Sequence, residues 1–432
     1  MSRTVYIRTF GCQMNVHDSE KIMGVLSHEG YTATGDPLQA DLIVLNTCSV
    51  RQKAEQKFYS ELGRFRSLKK KHPSIRIAIA GCIAQQEGIK ITRKAPYVDF
   101  VFGPQNIHLL RQFVRGVDLR IATGDNPDVE THELPVVRQE RIKAWVTIMY
   151  GCNNFCSYCI VPYTRGRERS RLSQAILNEV SCLAENGCRE ITLLGQNVNS
   201  YRSDLDFPGL LKTINSSDGI SRIRFVTSHP KDLSDSLITA MSELPKVCEH
   251  IHLPLQSGSD TVLHRMNRGY TLKEYREKVD QLRTKVPGIA ITTDIIAGFP
   301  GETAKDHSDT VRALMDIEYD GIFAFNYSPR PGTKAAEMDD NLPQHIRSSR
   351  LAEILSVQEK ITARKNKSLE QTRQEILLEG ESRASGKRQV TGRTRTNKIV
   401  TLDRCSLPAG QLIEVEIARA RQHSLEGKLP EE

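Results

Sequence analysis

Apolar strand-like runs alternate with helical patterns over most of this chain, and that alternation constrains the fold more than any other feature. TVYIRTF (4–10), DLIVLNT (41–47), RIAIAG (76–81) and VDFVFG (98–103) are separated by longer stretches, with helical patterns near 18–29 and 52–71. Consecutive parallel strands need a long crossover, usually a helix, so residues 1–118 read as a doubly wound parallel α/β domain. A polar stretch centred on Gly124-Asp125-Asn126-Pro127 then reads as a linker over 119–137. Six further strand patterns follow in 138–368: AWVTIMY, EITLLG, RIRFVTS, HIHLPL, IAITTDIIAGF and GIFAFNYS, with helical patterns between them and a long one near 343–366. Six βα units predict a partial (β/α)6 barrel of the TIM type, whose site lies where the strands end. Residues 369–432 change character: QEILLEG, QVTGRT, KIVTLD and QLIEVEIARA are parted by Gly, Ser and Pro turns, the pattern of a small all-β barrel.

Three parts suit a chain of 432 residues. Hydrophobic residues make up 38% and charged residues 26%, and the mean hydropathy is −0.41. These values describe a soluble globular protein, and no run of about 18 apolar residues is present to span a membrane. MSRTVYIRTF enters a strand pattern directly, without a secretory h-region, so a cytoplasmic location is expected. Ten cysteines in a chain of this length fall far below a disulfide scaffold, which takes roughly 8–10%. In a reducing compartment, clustered cysteines point to metal binding or catalysis.

Six of the ten form two groups. Cys152, Cys156 and Cys159 make a C-x3-C-x2-C loop directly after the first barrel strand. Three thiolates can hold three irons of a cubane, and no fourth cysteine lies nearby. The remaining iron would keep an open position, suited to a ligand that binds through an amine and a carboxylate. A structural zinc site normally takes four ligands in paired spacing, and this loop contains no histidine. Cys12, Cys48 and Cys82 are dispersed, yet each follows the end of a predicted strand. Strand ends line one edge of an open parallel sheet, so the three are expected to converge there. Core packing of small apolar thiols is the competing reading of this second triad, and the better one for Cys182, Cys188, Cys248 and Cys405.

The C-x3-C-x2-C loop, with an aromatic before its last cysteine, resembles the signature of radical S-adenosylmethionine enzymes. MYGCNNFCSYCIVPYTRGRERSR resembles the methylthiotransferases of that superfamily. TFGCQMNVHDSEK, NTCSVRQKAEQK and GCIAQQEG resemble their amino-terminal domain; LLGQNVNSY, RFVTSHP, HLPLQSGSD, GFPGET and YSPRPGT resemble their barrel, and the basic tail their TRAM domain. The resemblance covers essentially the whole chain. It implies two 4Fe-4S clusters. One, on Cys152, Cys156 and Cys159, chelates S-adenosylmethionine and cleaves it by one-electron reduction to methionine and a 5′-deoxyadenosyl radical. The other, auxiliary, on Cys12, Cys48 and Cys82, carries the sulfur to be methylated by a second S-adenosylmethionine and transferred. Among the branches, the chain most resembles the one acting on carbon 2 of N6-dimethylallyladenosine beside the anticodon of tRNA. The alternatives are threonylcarbamoyl-adenosine of tRNA, an aspartate of a ribosomal protein, and an iron–sulfur RNA-binding protein without radical chemistry. The implied partners are a tRNA anticodon stem-loop and a reduced electron donor such as flavodoxin or ferredoxin. A monomer that does not associate with membranes is expected.

The same resemblance nominates cofactor contacts. Tyr158 would pack on the cofactor's adenine. Gln196 and Asn197 follow the second barrel strand, where Gly-Gln-Asn replaces the superfamily's usual Gly-Gly-Glu. Ser228 and His229 follow the third strand, Gln256 and Ser257 the fourth; polar residues there also serve as caps and turn formers. The strand at Asp294–Pro300 loosely fits the adenine-binding strand. Between Arg383 and Arg404 stand seven basic residues (383, 387, 388, 393, 395, 398 and 404) against Asp403, a candidate RNA face. The net charge of +8 tilts the same way. The run from Arg165 to Arg171 could touch phosphates, neutralise the clusters or lie in solvent.

Overall fold

Parallel strands joined by crossover helices make up most of the computed structural model, as the alternating pattern requires. The structure describes residues 3–49, 52–131, 133–382, 389–403 and 405–430. Two compact units result: Met1–Gln139 with Met149–Asn153 and Cys159–Arg171, and Glu140–Ile148 with Asn154–Tyr158 and Leu172–Glu432.

In the first unit the strands are β1 (Arg3–Thr9), β2 (Tyr31–Ala33), β3 (Leu42–Thr47), β4 (Arg76–Gly81), β5 (Phe100–Phe102) and β6 (Ile121–Ala122). They form one parallel sheet in the order β2-β1-β3-β4-β5-β6. Helices α1 (Gln13–His28), α2 (Gln52–Lys71) and α3 (Cys82–Glu87) leave the ends of β1, β3 and β4. Leu42, Ile43, Val44 and Leu45 are all fully buried, because helices cover both faces of the sheet. One core contains Ile43, Leu45, Phe58, Ile77 and Ile79; the other contains Val5, Ile22, Leu26, Val44 and Phe100. The sheet has two strands more than the sequence pattern suggests. β2 and β6 are edge strands of three and two residues, too short for a periodicity signal, and β6 lies in the stretch that reads as a linker. The same stretch packs Leu134 on the core, and the Pro135 carbonyl stands where a side chain at Gly24 would.

A short antiparallel pair completes this unit, β8 (Met149–Tyr150) with β9 (Arg169–Ser170). The second unit is built on β7 (Lys143–Thr147), β10 (Glu190–Leu194), β11 (Arg222–Phe225), β12 (His250–His252), β13 (Ala290–Ala297) and β14 (Gly321–Asn326). All pair in parallel, β7-β10-β11 and β12-β13-β14, and a bridge between Ile223 and Val247 joins the two sets. This is the six-stranded partial barrel expected from the βα repeat. Among the described residues no strand pairs with the outer edge of β14, so the barrel is open there. Phe225 packs edge-on against Phe207 of the outer helix Phe207–Asn215, which turns Arg222 and Arg224 of the same strand inward.

The last part closes as a five-stranded barrel, β15 (Arg373–Ser382), β16 (Gln389–Thr394), β17 (Ile399–Asp403), β19 (Leu425–Lys428) and β18 (Leu412–Ala420) in ring order. It seals the floor of the β/α barrel. Arg222, fully buried, donates to the Arg393 carbonyl at 2.6 Å and to Glu375 at 2.8 Å. Arg224 donates to the carbonyls of Thr394 and Arg395, both at 2.8 Å. Its Nε also stands 2.9 Å from Glu190 Oε2, a charge contact rather than a well-aimed hydrogen bond. Arg395 returns a bidentate pair to Glu249 at 2.7 and 2.8 Å. Arg393 pairs with Glu379, and Lys398 stands 3.7 Å from Asp320. At these three positions of the expected basic face the charge meets a protein carboxylate: Arg395 and Lys398 reach from the small barrel to the β/α barrel, whereas Arg393 pairs within the small barrel itself. Arg383, Lys387, Arg388 and Arg404 lie outside the described residues. No helix is long and apolar enough to cross a membrane among the described residues.

Breaking a buried ion pair leaves its partner charged and unpaired, at a cost of about 3–5 kcal/mol. Arg224→Leu strands Glu190, which is 3% exposed. The variant is expected to unfold at markedly lower urea concentration, with earlier proteolysis near residue 369. An unchanged midpoint would mean that the floor contacts contribute nothing to stability.

Candidate functional site

The dispersed triad forms because parallel strands deliver their ends to one edge. Cys12 caps the amino terminus of α1, Cys48 follows β3, and Cys82 is the first residue of α3. Gly11 adopts φ +133°, and a Cβ there would lie 2.4 Å from Cys48 Cβ. Only glycine lets the two cysteine segments come this close. Cys48 is fully buried and Cys82 is 4% exposed, whereas Cys12 is half-buried.

The local field favours the thiolate at Cys12. A hydrogen bond with Cys48 draws the Cys12 thiol down to about 6, with Arg165 and backbone amides at α1 acting in the same direction against burial. Burial pushes the Cys82 thiol up, opposed by Arg165. Arg165 is itself buried at 6% exposure and bonds Asp18 at 2.7 Å. Burial opposes its charge, but Asp18, Cys82 and Cys12 outweigh that and keep it protonated. Its carbonyl accepts from Gln105 at 2.8 Å, and Gln105 in turn holds the Asn126 backbone. Of the three roles open to the basic run, Arg165 takes the one beside the cysteines. Arg169 instead binds Asp125 and the Asn126 carbonyl. Asn15 and Asn46 tie α1 to β3 through Asn15 Nδ2 to the Thr47 carbonyl at 3.0 Å and Asn46 Nδ2 to the Asn15 carbonyl at 2.8 Å. These asparagines bear on the site without any motif having singled them out.

The contiguous triad sits on a loop with little freedom. Gly151 adopts φ +70°, and a Cβ there would lie 1.9 Å from the Arg167 carbonyl. The Cys152 amide donates to the Gly166 carbonyl. Within the second unit, Ser157 bonds the Met266 and Arg265 carbonyls with its amide and hydroxyl, and Asn267 Nδ2 donates to the carbonyls of Asn154 and Phe155. Arg268, 4% exposed, donates to Cys156 Sγ at 3.3 Å, to the Tyr158 hydroxyl at 3.4 Å and to the Pro254 carbonyl at 2.8 Å. Its Nε donates to Tyr270, so none of these partners is a carboxylate. Sequence reasoning missed Arg268, which lies 109 positions beyond the last cysteine of the loop and in no motif of its own.

The strand ends of the barrel carry a set of unpartnered polar atoms. Gln196 Oε1 and Nε2, Ser228 Oγ, His229 Nε2, Asn326 Oδ1 and Tyr327 Oη are buried without a hydrogen-bond partner among the described residues. Buried polar groups are nearly always paired, so a concentration of orphans marks a place shaped for a polar ligand. Burial, then Arg268, Lys231 and Lys278, push His229 down to about 2, so the ring is neutral. Its Nδ1 accepts from the Lys231 amide, which leaves the proton on the orphaned Nε2. Asn326 and Tyr327, at the end of β14, were missed because a polar residue after a strand is commonplace in sequence.

The other expected contacts divide. Tyr158 lies edge-on to Phe299 at 6.5 Å, within an apolar cluster that includes Ile296 and Tyr327. Asn197 is committed to the scaffold, since its Nδ2 donates to Asp232 at 2.7 Å and its Oδ1 accepts from the His229 amide. Gln256 adopts φ +73° and its backbone pairs with β13, while Ser257 bonds toward Thr310. The loop after β13 is fixed by Glu302, which accepts from the Gly298 amide at 3.1 Å and from Arg350 at 2.6 Å.

The donor set of each triad, thiols alone, is the kind that iron–sulfur clusters take. Among the described residues no three His, Cys, Asp or Glu side chains stand close enough together to hold a single metal ion.

Comparisons with known proteins identify what the chain is similar to. The model of Uncharacterized protein family UPF0004 matches residues 4–103, and that of the Radical SAM superfamily matches residues 146–314. The chain is 51% identical over 429 residues to the tRNA-2-methylthio-N(6)-dimethylallyladenosine synthase of Thermodesulfovibrio yellowstonii, covering 99% of each. It is 47% identical to the synthase of the same description from Syntrophus aciditrophicus, covering 98% of this chain and 94% of that one. Among solved structures, the radical S-adenosylmethionine methyltransferase TsrM of Kitasatospora setae matches with a TM-score of 0.59 at 16% identity, covering 78% of this chain and 77% of that one. At that identity the likeness concerns the fold alone.

The field around Cys12 makes a measurable difference. In cluster-free protein, its alkylation by iodoacetamide is expected to rise through a midpoint near pH 6 and level off above it, because the thiolate is the nucleophile. Peptide mass spectrometry reads the site, and Arg165→Gln should move the midpoint upward. A midpoint near 9, the ordinary value for a thiol, would remove the field inferred from these contacts.

Proposed function

The chain belongs to the tRNA-2-methylthio-N(6)-dimethylallyladenosine synthase family of radical SAM proteins, and from that premise we infer that it methylthiolates carbon 2 of N6-dimethylallyladenosine in tRNA. The single observation that carries the reading is full-length identity near one half with such synthases. Radical SAM membership brings S-adenosylmethionine and a 4Fe-4S cluster. In this reading Cys152, Cys156 and Cys159 ligate that cluster, and Cys12, Cys48 and Cys82 ligate an auxiliary one. When bound, these groups supply one-electron reduction, hydrogen abstraction, and the sulfur and methyl to be transferred.

The chain's own residues position and shield these groups. Arg268 and Arg165 place a buried positive charge beside each triad, offsetting the anionic thiolates. Gln196, Ser228, His229 Nε2 and Tyr327 offer donors and acceptors already desolvated, so that binding needs little reorganisation. Tyr158 and Phe299 give an apolar wall against which the cofactor's adenine packs, and they exclude water from the radical chemistry. The target base must leave its stack, which costs a few kcal/mol, roughly, and less in an anticodon loop. A flavodoxin or ferredoxin is the proposed electron donor.

The test uses anaerobically reconstituted protein with reductant, S-adenosylmethionine and three substrates together: a dimethylallyl-adenosine stem-loop, its threonylcarbamoyl counterpart and a ribosomal peptide. A methylthio gain on the dimethylallyl RNA alone is expected, and a gain on either other substrate overturns the choice of substrate. Cys156→Ala should abolish reductive cofactor cleavage. Cys48→Ala should keep cleavage, lose iron and lose methylthio transfer; unchanged transfer would return the dispersed triad to core packing.

A further inference from the structure

The lumen of the β/α barrel has a wall that neither the clusters nor the orphaned polar rim explains. Phe323 and Phe325 of β14 are 52% and 44% exposed, although both lie on a strand of the barrel. Register places them on the inner face: Phe323 pairs with Asp294 and Phe325 with Ile296, while His252 pairs with Thr292 on the same side. The residues of opposite parity, Ile291, Thr293 and Ile295, are fully buried on the outer side. His252 binds this wall together, with Nδ1 at 3.0 Å from Thr292 Oγ1, Nε2 at 3.4 Å from Asp294 Oδ2 and its ring 5.9 Å from that of Phe323. Across the lumen, Trp145 of β7 stands opposite Thr192, which stands opposite the inward-facing Arg224. The floor is sealed by the arginine contacts described above, and the free edge of β14 leaves the wall reachable from the side.

Two half-exposed phenyl rings at positions i and i+2 present an apolar strip about 7 Å long, at roughly 3.3–3.4 Å per residue. A carboxylate, that of Asp294, stands at its inner end. Such a surface favours a planar, neutral group with an apolar branch and a hydrogen-bond donor, and it repels an anion. This criterion separates the three substrate classes. A dimethylallyl adenine is neutral, carries a branched hydrocarbon and keeps one N6–H to donate. A threonylcarbamoyl adenine ends in a carboxylate, and an aspartyl peptide presents one.

Resting on the substrate reading above, we propose that Phe323, Phe325 and Asp294 form the subsite that reads the N6 substituent of the adenine: the phenyl rings take the hydrocarbon tail, and Asp294 accepts from N6–H and rejects anionic substituents. The strip continues into Ile296, which packs in the cluster with Tyr158 and Phe299. A base held on it therefore lies beside the wall assigned to the cofactor.

Trp145 is the only tryptophan in the chain, so its emission reports on this lumen alone. The reconstituted full-length protein is titrated with three otherwise identical stem-loops whose target adenosine is unmodified, dimethylallylated or threonylcarbamoylated. Ratios of Kd between the RNAs cancel any general loss of binding. The native protein is expected to prefer the dimethylallyl RNA. Phe323→Ala and Phe325→Ala should each reduce its preference over the unmodified RNA by about tenfold, the scale at which apolar pockets discriminate. Phe325→Leu, which keeps the strip apolar, should retain most of that preference. Asp294→Asn should narrow the preference over the threonylcarbamoyl RNA and leave that over the unmodified RNA in place. Phe323 and Phe325 are half-exposed, so changing them costs little stability. Equal losses on all three RNAs, or ratios unchanged in every variant, overturn the subsite. So does a loss confined to S-adenosylmethionine affinity, since the wall would then belong to the cofactor. Failure of the substrate reading is distinct: the native protein would transfer no methylthio group to the dimethylallyl RNA. Transfer by the native protein with unaltered ratios in the variants would overturn the subsite alone.

Discussion

Parallel pairing is the constraint on which the rest of this structure depends. A parallel strand must be followed by a crossover, so every strand in a unit ends at the same edge, and every crossover begins there. In the first unit this brings Cys12, Cys48 and Cys82, separated by more than thirty residues each, to three adjacent strand ends. In the second it brings Gln196, Ser228, His229, Asn326 and Tyr327 to the rim of one barrel. Antiparallel pairing would send alternate ends to opposite sides and scatter both sets. The closeness at the first site is then completed by a single glycine, because a Cβ at Gly11 would occupy the place of Cys48.

Electrostatics make these gatherings tolerable and useful. Thiolates at a buried strand edge carry negative charge that burial disfavours, as the raised Cys82 thiol shows. Arg165 answers this beside the dispersed triad, compensated in part by Asp18, and Arg268 answers it beside Cys156 with hydroxyl and carbonyl partners only. The β/α barrel uses the same chemistry for another purpose at its opposite end. Arg222 and Arg224 point into the floor and direct their donors to carbonyls of the small β-barrel, so that a charged lumen is closed by hydrogen bonds. The basic character of the carboxyl-terminal part is for this reason partly structural: Arg393, Arg395 and Lys398 each face a protein carboxylate.

The fold was legible where the pattern is long. Strands of five or more residues, such as those at 42–47 and 76–81, declare themselves by apolar runs bounded by turns, and β2 and β6 do not because two or three residues carry no period. The contiguous triad stands out in the sequence because C-x3-C-x2-C places three thiols on one loop whatever surrounds it. Tyr158 came with it. Gln196, Ser228 and His229 were legible as polar residues at strand ends. Asn197 belonged to the same set in sequence, yet its amide is committed to Asp232 and to the backbone of His229. Nothing in a one-dimensional pattern distinguishes an orphaned side chain from a satisfied one, because satisfaction depends on partners far away along the chain.

By itself, the sequence determined the class of fold, the two groups of three cysteines and the chemistry those thiols suit. All of these follow from periodicity and spacing, which are local properties of the chain. The tertiary structure alone decided which arginine serves each triad, which polar side chains are left unpaired, which basic residues face inward, and that Phe323 and Phe325 stand uncovered on an inner wall. Each of these is settled by contacts between distant segments and by the direction a side chain takes from its strand. The free energy of burying a charge or leaving a ring exposed is set by that surrounding and not by the residue.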